Sequence, residues 1–479
     1  MRSLPAARVP GEALRLLEAS RAPPSASYRA SHRGQHVWYA PGMCPANECP
    51  SRRDFLSSSA GIAATAGIAS GALLTSCAST EEQEKEAAVD EQLAHLVDAT
   101  GDVAPISQDE HATRRARLAG LLDAANQDAL LVEPSATMEY LTGVTWGRSE
   151  RLFGLVVLAS GEHFWVVPAF EEEKAKLKTQ GEGKPGGDIV TWDEHEYAYR
   201  PLAAELQRRR ATRVCVEPSI RYMHVAPLAV ALGQAPAPSA RGIVTELRGR
   251  KDEHELALLR RANELTQLAI LESSQLFVPG MTGRDIGRIV RRAHTQLGLS
   301  GHWDLSLIGP AAAYPHGEAR DIELQRGDVI LIDTGGDYHG YQSDNTRSWV
   351  FDQAPNERQT EVWNAVKDAQ LAAFDAIAPG VRAGGVDDAA RRYLESVGLT
   401  EGYSHFGHRL GHGIGMEGHE DPYFDAGSDV VLAPGMTLSD EPGIYLYGEF
   451  GIRIEDIVAV TEGGAEHFGT WQLAPTSPA

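Results

Sequence analysis

The 479-residue sequence contains little cysteine and little positive charge. Its four cysteines, two of which are Cys44 and Cys49, are too few for a disulfide framework or a cysteine-rich metal site. Lys and Arg number 44 against 66 Asp and Glu, which gives a formal net charge of −22. Because binding a polyanion requires a surplus of basic residues on some face, this charge argues against a nucleic-acid partner. The length predicts about two or three domains.

An export signal is predicted at residues 51–77. This segment contains an arginine pair, an uncharged stretch rich in Ala, Gly, Ser and Leu, and a final cysteine, a layout typical of a secretory signal. The pair Arg52 and Arg53 resembles a bacterial twin-arginine signal. We expect lipidation of Cys77 and attachment on the periplasmic side of a membrane. The alternative is an uncleaved membrane helix at 55–76, which is long enough to span a bilayer.

The segments around this signal predict the domain organisation. Residues 1–50 do not fit a signal peptide and are interpreted as a non-native or disordered extension, with Met43 as the true start. Residues 78–107 are interpreted as a solvated acidic linker. Residues 108–245 alternate short apolar strands with amphipathic helical stretches, which predicts an α/β domain without visible chemistry. A catalytic domain is predicted at 246–470.

Apolar residues at helical spacing predict a long helix at 252–276 and a second helix near 282–297. The remainder of this domain, about 303–465, is interpreted as strand-rich. An apolar strand pattern there ends on Asp333, and Asp344 follows eleven residues later. Two strands joined by a turn could place these aspartates face to face. Because an unpaired buried carboxylate is costly, the pattern predicts a cation.

Three histidines, His408, His412 and His419, lie within twelve residues. The first two have the spacing of a zincin helix, but Arg409 stands where that motif requires glutamate. Several glycines in the same segment disfavour a helix. We therefore expect extended chain and tight turns, with each histidine directed separately.

Two further carboxylates, Glu441 and Glu455, follow in glycine-punctuated segments. Arg453 and Glu455 alternate with Ile452 and Ile454, so the two polar side chains are expected on one strand face. A surface role is the simpler interpretation of any single acid. Four acids and one histidine in similar segments together indicate a metal site.

Five potential metal ligands occur in a fixed order: Asp333, Asp344, His412, Glu441 and Glu455. This order resembles the ligand set of the pita-bread metallopeptidases, which include methionine aminopeptidase, aminopeptidase P and prolidase, and the metal-free creatinase. The segments 340–347, 441–445 and 451–456 resemble the branch that cleaves Xaa-Pro bonds. The resemblance spans about 108–465 and implies an α/β N-terminal domain followed by an α+β pita-bread catalytic domain of the creatinase/aminopeptidase type.

By this resemblance, Asp333 and Asp344 share one divalent ion, and His412 completes a second site with Glu441 and Glu455. One of these two glutamates is expected to bridge the ions. An oxygen-rich ligand set with one imidazole favours Mn(II), with Co(II) or Zn(II) as alternatives.

The resemblance also implies the roles of residues in catalysis. Two ions about 3.5–4 Å apart would generate a bridging hydroxide that attacks the peptide carbonyl, and Glu441 would accept the proton from the water. His316 and His419 would stabilise the oxyanion. His408 and Arg453 are predicted to shape the proline side of the cleft or to bind the proline carboxylate.

The expected substrates are peptides with proline at the second position, either dipeptides or longer chains. Alternatives are a creatinase-like hydrolase, a methionine aminopeptidase-like enzyme and a non-catalytic binding protein on the same fold. Creatinase has no use for all five ligands, a binding protein is expected to have lost several, and methionine aminopeptidases are normally cytosolic. The metal, the choice between inner and outer membrane, and the oligomeric state, including a homodimer, are left open.

Overall fold

The computed structural model describes residues 80–318 and 320–479, and side chains from residue 86 onward. The extension, the export signal with Cys77 and the alternative membrane helix lie outside the described residues. Among the helices of the described part, none is both long and apolar enough to cross a membrane.

The helices of the described residues are, in chain order, α1 (Thr80–Gln92), α2 (Gln108–Ala124), α3 (Ala136–Thr142), α4 (Glu172–Thr179), α5 (Tyr199–Arg208), α6 (Tyr222–Leu232), α7 (Arg241–Arg248), α8 (Glu253–Ser274), α9 (Gly283–Gln296), α10 (Glu357–Ala376) and α11 (Ala383–Ser396). The strands are β1 (Ala129–Val132), β2 (Gly154–Leu158), β3 (His163–Pro168), β4 (Asp188–Trp192), β5 (Val214–Val216), β6 (Ser300–Ile308), β7 (Val329–Tyr338), β8 (Tyr341–Gln342), β9 (Asn345–Val350), β10 (Gly411–Gly413), β11 (Glu420–Phe424), β12 (Thr437–Asp440), β13 (Gly443–Leu446), β14 (Phe450–Arg453), β15 (Asp456–Val460) and β16 (Ala465–His467).

A five-stranded sheet in the order β4-β3-β2-β1-β5 forms the centre of the first domain. Strand β1 runs antiparallel to β2 and parallel to β5. Its side chains alternate between two cores, because Leu130 and Val132 pack on one face while Ala129 and Leu131 pack on the other. Burial on both faces explains the continuous apolar runs in the sequence. Helix α7 crosses the predicted domain boundary at 245/246, which stays a prediction.

The second domain contains two larger sheets. One has the order β6-β7-β8 with β9 also paired to β7, and the other has the order β11-β10-β12-β15-β16. The two helices predicted at the start of this domain are found as α8 and α9, within two residues at each end. Asp252 caps α8 by accepting a hydrogen bond from the backbone N–H of Glu255, which fixes where the helix begins.

The strand-rich interpretation of 303–465 is wrong in its middle, where α10 and α11 interrupt the strands. Asn356 caps α10, and the buried positions Val362, Val366, Ala369 and Ala373 follow helical spacing. Both helices pack, together with strands of the second sheet, in one hydrophobic core. The signal for α10 was therefore present in the sequence.

The solvated linker predicted at 78–107 is also wrong in part. Helix α1 occupies its first half, and Leu93 is fully buried in the core of the second domain. Val89 and Leu96 pack against the same core. These apolar residues are spaced four and three apart, and together they attach α1 and the turn that follows it to the core.

Candidate active site

Strands β7 and β9 bring two of the predicted ligands together. They run antiparallel, with Asp333 opposite Thr346 and Thr334 opposite Asn345. Asp344 immediately precedes β9. Oxygens of the Asp333 and Asp344 carboxylates lie within 4.8 Å of each other. The predicted face-to-face arrangement of these aspartates is confirmed.

His412 lies in the short strand β10, beside the end of β12. Gly411 permits this approach, because a Cβ at that position would lie 1.9 Å from the carbonyl oxygen of Ser439. The backbone N–H of His412 donates to Ser439 Oγ at 3.0 Å, and this hydroxyl donates to Glu441 Oε1 at 3.3 Å. The extended chain predicted for this segment is found, and Ser439 links the histidine to the acid.

Glu455 approaches the same place from the short link between β14 and β15. Its backbone pairs with Thr346 of β9, and Thr346 Oγ1 donates to Glu455 Oε2 at 2.7 Å. Ile452 and Ile454 are buried in the core, whereas Arg453 and Glu455 line a cavity. The alternation predicted for this segment is confirmed.

All of the predicted site residues line this one cavity, which has a volume of about 560 Å³. They are His316, Asp333, Asp344, His408, His412, His419, Glu441, Arg453 and Glu455. Trp303 and Leu305 add apolar surface to its wall. His316 and His419 are exposed, while Asp344, His412 and Glu455 are buried. The cavity therefore has a floor of buried acids and an open side with histidines.

Besides a group formed by Asp344, His412 and the exposed His419, the cavity contains two clusters of potential ligand atoms. In one, atoms of His412, Glu441 and Glu455 all lie within 4.8 Å of one another. In the other, the same holds for Asp333, Asp344 and Glu455. Glu455 belongs to both clusters, which is the arrangement expected of an acid that bridges two ions. This division matches the ligand sets predicted from the sequence.

Burial opposes charge on several of these acids. Burial and the nearby carboxylates of Glu455 and Asp333 raise the pKa of Asp344 well above its usual range. Burial raises the pKa of Glu441 to about 8, and the pKa of Glu455 is raised by burial and by Glu441. Asp333 Oδ1 is buried without a hydrogen-bond partner. A cation would relieve each of these costs, so the residues fit divalent ions.

The ring of His412 is oriented so that its Nε2 atom could bind a metal ion. Its Nδ1 atom donates to the carbonyl oxygen of Gly413 at 3.2 Å, which leaves the Nε2 lone pair free. Nε2 lies 3.6 Å from Asp344 Oδ2 and 3.6 Å from Glu441 Oε1. Burial and His419 lower the pKa of His412 to about 3, so the ring is neutral and able to bind metal.

Comparison with known proteins supports this interpretation. Residues 257–462 match metallopeptidase family M24, and residues 114–249 match the creatinase/prolidase N-terminal domain. The probable dipeptidase PepE of Mycobacterium tuberculosis is 38% identical over 359 residues, which cover 73% of this chain and 93% of that protein. This chain belongs to metallopeptidase family M24. The predicted fold class, with a creatinase-like first domain and a pita-bread catalytic domain, is confirmed.

Two further similarities extend over the same region of this M24 metallopeptidase. The Xaa-Pro dipeptidase of Lactobacillus delbrueckii subsp. lactis is 31% identical, with 74% of this chain and 95% of that protein covered. The crystal structure of dipeptidase PepE from Mycobacterium ulcerans aligns with a TM-score of 0.72 at 34% identity, covering 78% of this chain and 99% of that one.

Arg453 of the M24 enzyme is committed to protein acceptors. Its Nη2 lies 2.5 Å from Asp333 Oδ2, and its Nε donates to Thr346 Oγ1 at 3.0 Å. Its Nη1 donates to the hydroxyl of Tyr445 at 3.0 Å and to the carbonyl oxygen of Pro315 at 3.2 Å. This geometry favours orientation of Asp333 by Arg453, and its contact with a substrate carboxylate stays a prediction.

Sequence reasoning missed three supporting hydroxyl groups: Thr346, Ser439 and Tyr445. The Tyr445 hydroxyl lies 2.8 Å from His408 Nε2, and His408 Nδ1 donates to the carbonyl oxygen of Arg409. Tyr445 thus connects both residues predicted for the proline side of the cleft. Thr346, Ser439 and Tyr445 all lie close to predicted ligands in the sequence. This proximity was a usable signal, because metal ligands are usually oriented by hydrogen bonds from neighbouring groups.

Proposed function

We propose that this M24 metallopeptidase uses two divalent ions to hydrolyse the peptide bond that precedes proline, with Xaa-Pro dipeptides as its main substrates. The pair of ligand clusters that share Glu455 carries the proposal, because it provides five donors for two adjacent ions. The names of the dipeptidase relatives support the choice of dipeptides over longer peptides.

Two bound ions would supply a water of lowered pKa as nucleophile at neutral pH. Glu441, which lies in the cluster with His412, would accept the proton of that water. His316 and His419 line the open side of the same cavity and would donate hydrogen bonds to the carbonyl oxygen as it becomes negative. The predominance of oxygen donors favours Mn(II), with Co(II) as an alternative.

The apolar surface beside Asp333 suits a prolyl residue, since Leu305 of β6 is paired with Asp333 of β7. Trp303 and Leu305 offer apolar surface to its ring, and His408, which is hydrogen-bonded to the Tyr445 hydroxyl, offers a polar group. A creatinase-like activity or a binding role without catalysis is less well supported because all five donors are present and adjacent. A methionine aminopeptidase-like activity would use the same five donors, but the creatinase/prolidase N-terminal domain and the dipeptidase relatives favour the Xaa-Pro branch.

Export through the twin-arginine route, lipidation of Cys77 and a periplasmic location are proposed from the sequence layout of 51–77. The homodimer stays an open alternative. Lysine substitutions at Arg52 and Arg53 should retain the protein in the cytoplasm, and Cys77→Ser should give a form without an acyl chain by mass spectrometry. An exported form that keeps 55–76 would contradict the lipoprotein hypothesis.

The decisive experiment compares turnover of Ala-Pro, Ala-Ala and Ala-Pro-Ala by chelated and Mn(II)-reconstituted enzyme. Ala-Pro should be cleaved fastest, and chelation should abolish activity. Mn(II) or Co(II) should restore it better than Mg(II), since an imidazole ligand is softer than Mg(II) prefers. Full activity after chelation would refute the metal mechanism, and equal turnover of Ala-Ala would refute the proline specificity.

A further inference from the structure

The segment 417–421 separates the active-site cavity from a second cavity of about 440 Å³. Gly418 and His419 line the active-site cavity. Glu417 and Glu420, on either side of them in the chain, line the second cavity together with residues of α7. The two acids and His419 therefore point to opposite sides of one short wall.

Arg248, the last residue of α7, forms ion pairs with both acids of this wall. Its Nη2 lies 2.8 Å from Glu417 Oε2 and 2.5 Å from Glu420 Oε2. Its Nη1 donates to Thr137 Oγ1 of the first domain at 3.0 Å. The Arg248 and Glu420 side chains are only 7% and 9% exposed, so the ion pair between them is poorly screened by solvent. Arg248 lies within the match to the creatinase/prolidase N-terminal domain.

Glu420 is held from a second side by Lys251, whose Nζ lies 2.7 Å from Glu420 Oε1. Burial acts to raise the pKa of Glu420. The positive charges of Lys251 and Arg248 outweigh burial, so the pKa is lowered overall. A Cβ at Gly415 would lie 2.5 Å from Glu420 Oε1, so this acid packs directly on the turn that follows His412. The wall cannot shift without disturbing this ion cluster.

The ring of His419 has few restraints of its own. Among the described residues it makes no hydrogen bond, and its ring stacks on that of His412 at 3.8 Å between centroids. Its direction is therefore set mainly by the backbone between Glu417 and Glu420. We propose that Arg248 is a positioning residue for His419, through which the N-terminal domain takes part in catalysis. This inference rests on the proposed function, in which His419 contacts the scissile carbonyl.

A positioning role predicts a specific pattern in a double-mutant cycle for Ala-Pro turnover. Arg248→Gln should lower kcat about tenfold, because a displacement near 1 Å can cost up to 10²-fold. KM and the content of two metals per chain should stay unchanged. In a His419→Ala background the same substitution should have no further effect on kcat, since the residue it positions is gone. Arg248→Lys should restore part of the loss.

Arg260→Gln is the control, because it removes a partly exposed pair with Glu466 away from the cavity and should leave kcat unchanged. If Arg248→Gln does not fold, Glu417→Gln replaces it, since Glu417 is 47% exposed; its loss of kcat should likewise vanish in the His419→Ala background. Equal losses in both backgrounds, or no loss at all, would overturn the proposal. Absence of Ala-Pro turnover by the wild type would instead refute the proposed function.

Discussion

Thr346 offers a sharp test of how the acid shared by both clusters is held. Its fully buried hydroxyl donates to Glu455 Oε2 at 2.7 Å and accepts from Arg453 Nε at 3.0 Å. Thr346→Val keeps the shape and the β propensity of the side chain but removes both hydrogen bonds. Glu455 is then free to turn away from the ions.

The net free-energy contribution of a hydrogen bond to a charged group is about 1.5–3 kcal/mol, which corresponds to roughly 10- to 150-fold in an equilibrium constant. Loss of a residue that supports a metal ligand usually costs about 10- to 100-fold in affinity. We therefore expect Thr346→Val to weaken Mn(II) binding by about 10- to 100-fold.

Calorimetric titration of the chelated protein with Mn(II) measures this change. Thr334→Val is the matched control, because Thr334 lies on the partner strand and its hydroxyl donates to the carbonyl oxygen of Trp303 rather than to a predicted ligand. The control should bind Mn(II) as the wild type does. Unchanged affinity in Thr346→Val, or an equal loss in both variants, would refute the reasoning.

Three further predictions concern ligand identity, docking and pH. His412→Ala should lose metal and activity together, whereas His419→Ala should keep two metals by elemental analysis and lose about 10²–10³-fold in kcat; the reverse pattern would move the nitrogen ligand. Leu93→Ala should lower the free energy of unfolding by about 2–5 kcal/mol in denaturant titrations, because Leu93 is fully buried; no change would mean that this segment does not dock. Burial lowers the pKa of His294 from 6.5 to about 4, so the unfolded chain takes up a proton that the folded chain does not, and stability should fall as pH falls through this range. His294→Gln should remove that part of the pH dependence, and an unchanged slope would contradict it.

The sequence by itself determined the order and type of the site residues. Asp333 and Asp344 flank a strand–turn–strand pattern, and the residues around His412 are too rich in glycine for a helix. These features depend on neighbours within a few residues, so local periodicity was sufficient to predict them. The same holds for α8, where the capping box and the apolar repeat stand next to each other in the chain.

Tertiary structure decided which groups meet. Arg453 lines the cavity as expected, and its donors meet Asp333, which is 120 positions away in sequence, and other protein acceptors. Arg248 and Glu420 are 172 positions apart and pair only because the two domains pack together. The segment before Leu93 is acidic, which predicted a solvated linker. The few apolar residues in and after it, Val89, Leu93 and Leu96, nevertheless pack against the core. Such outcomes depend on burial and on the geometry of distant backbone segments, which a local pattern of residues does not encode.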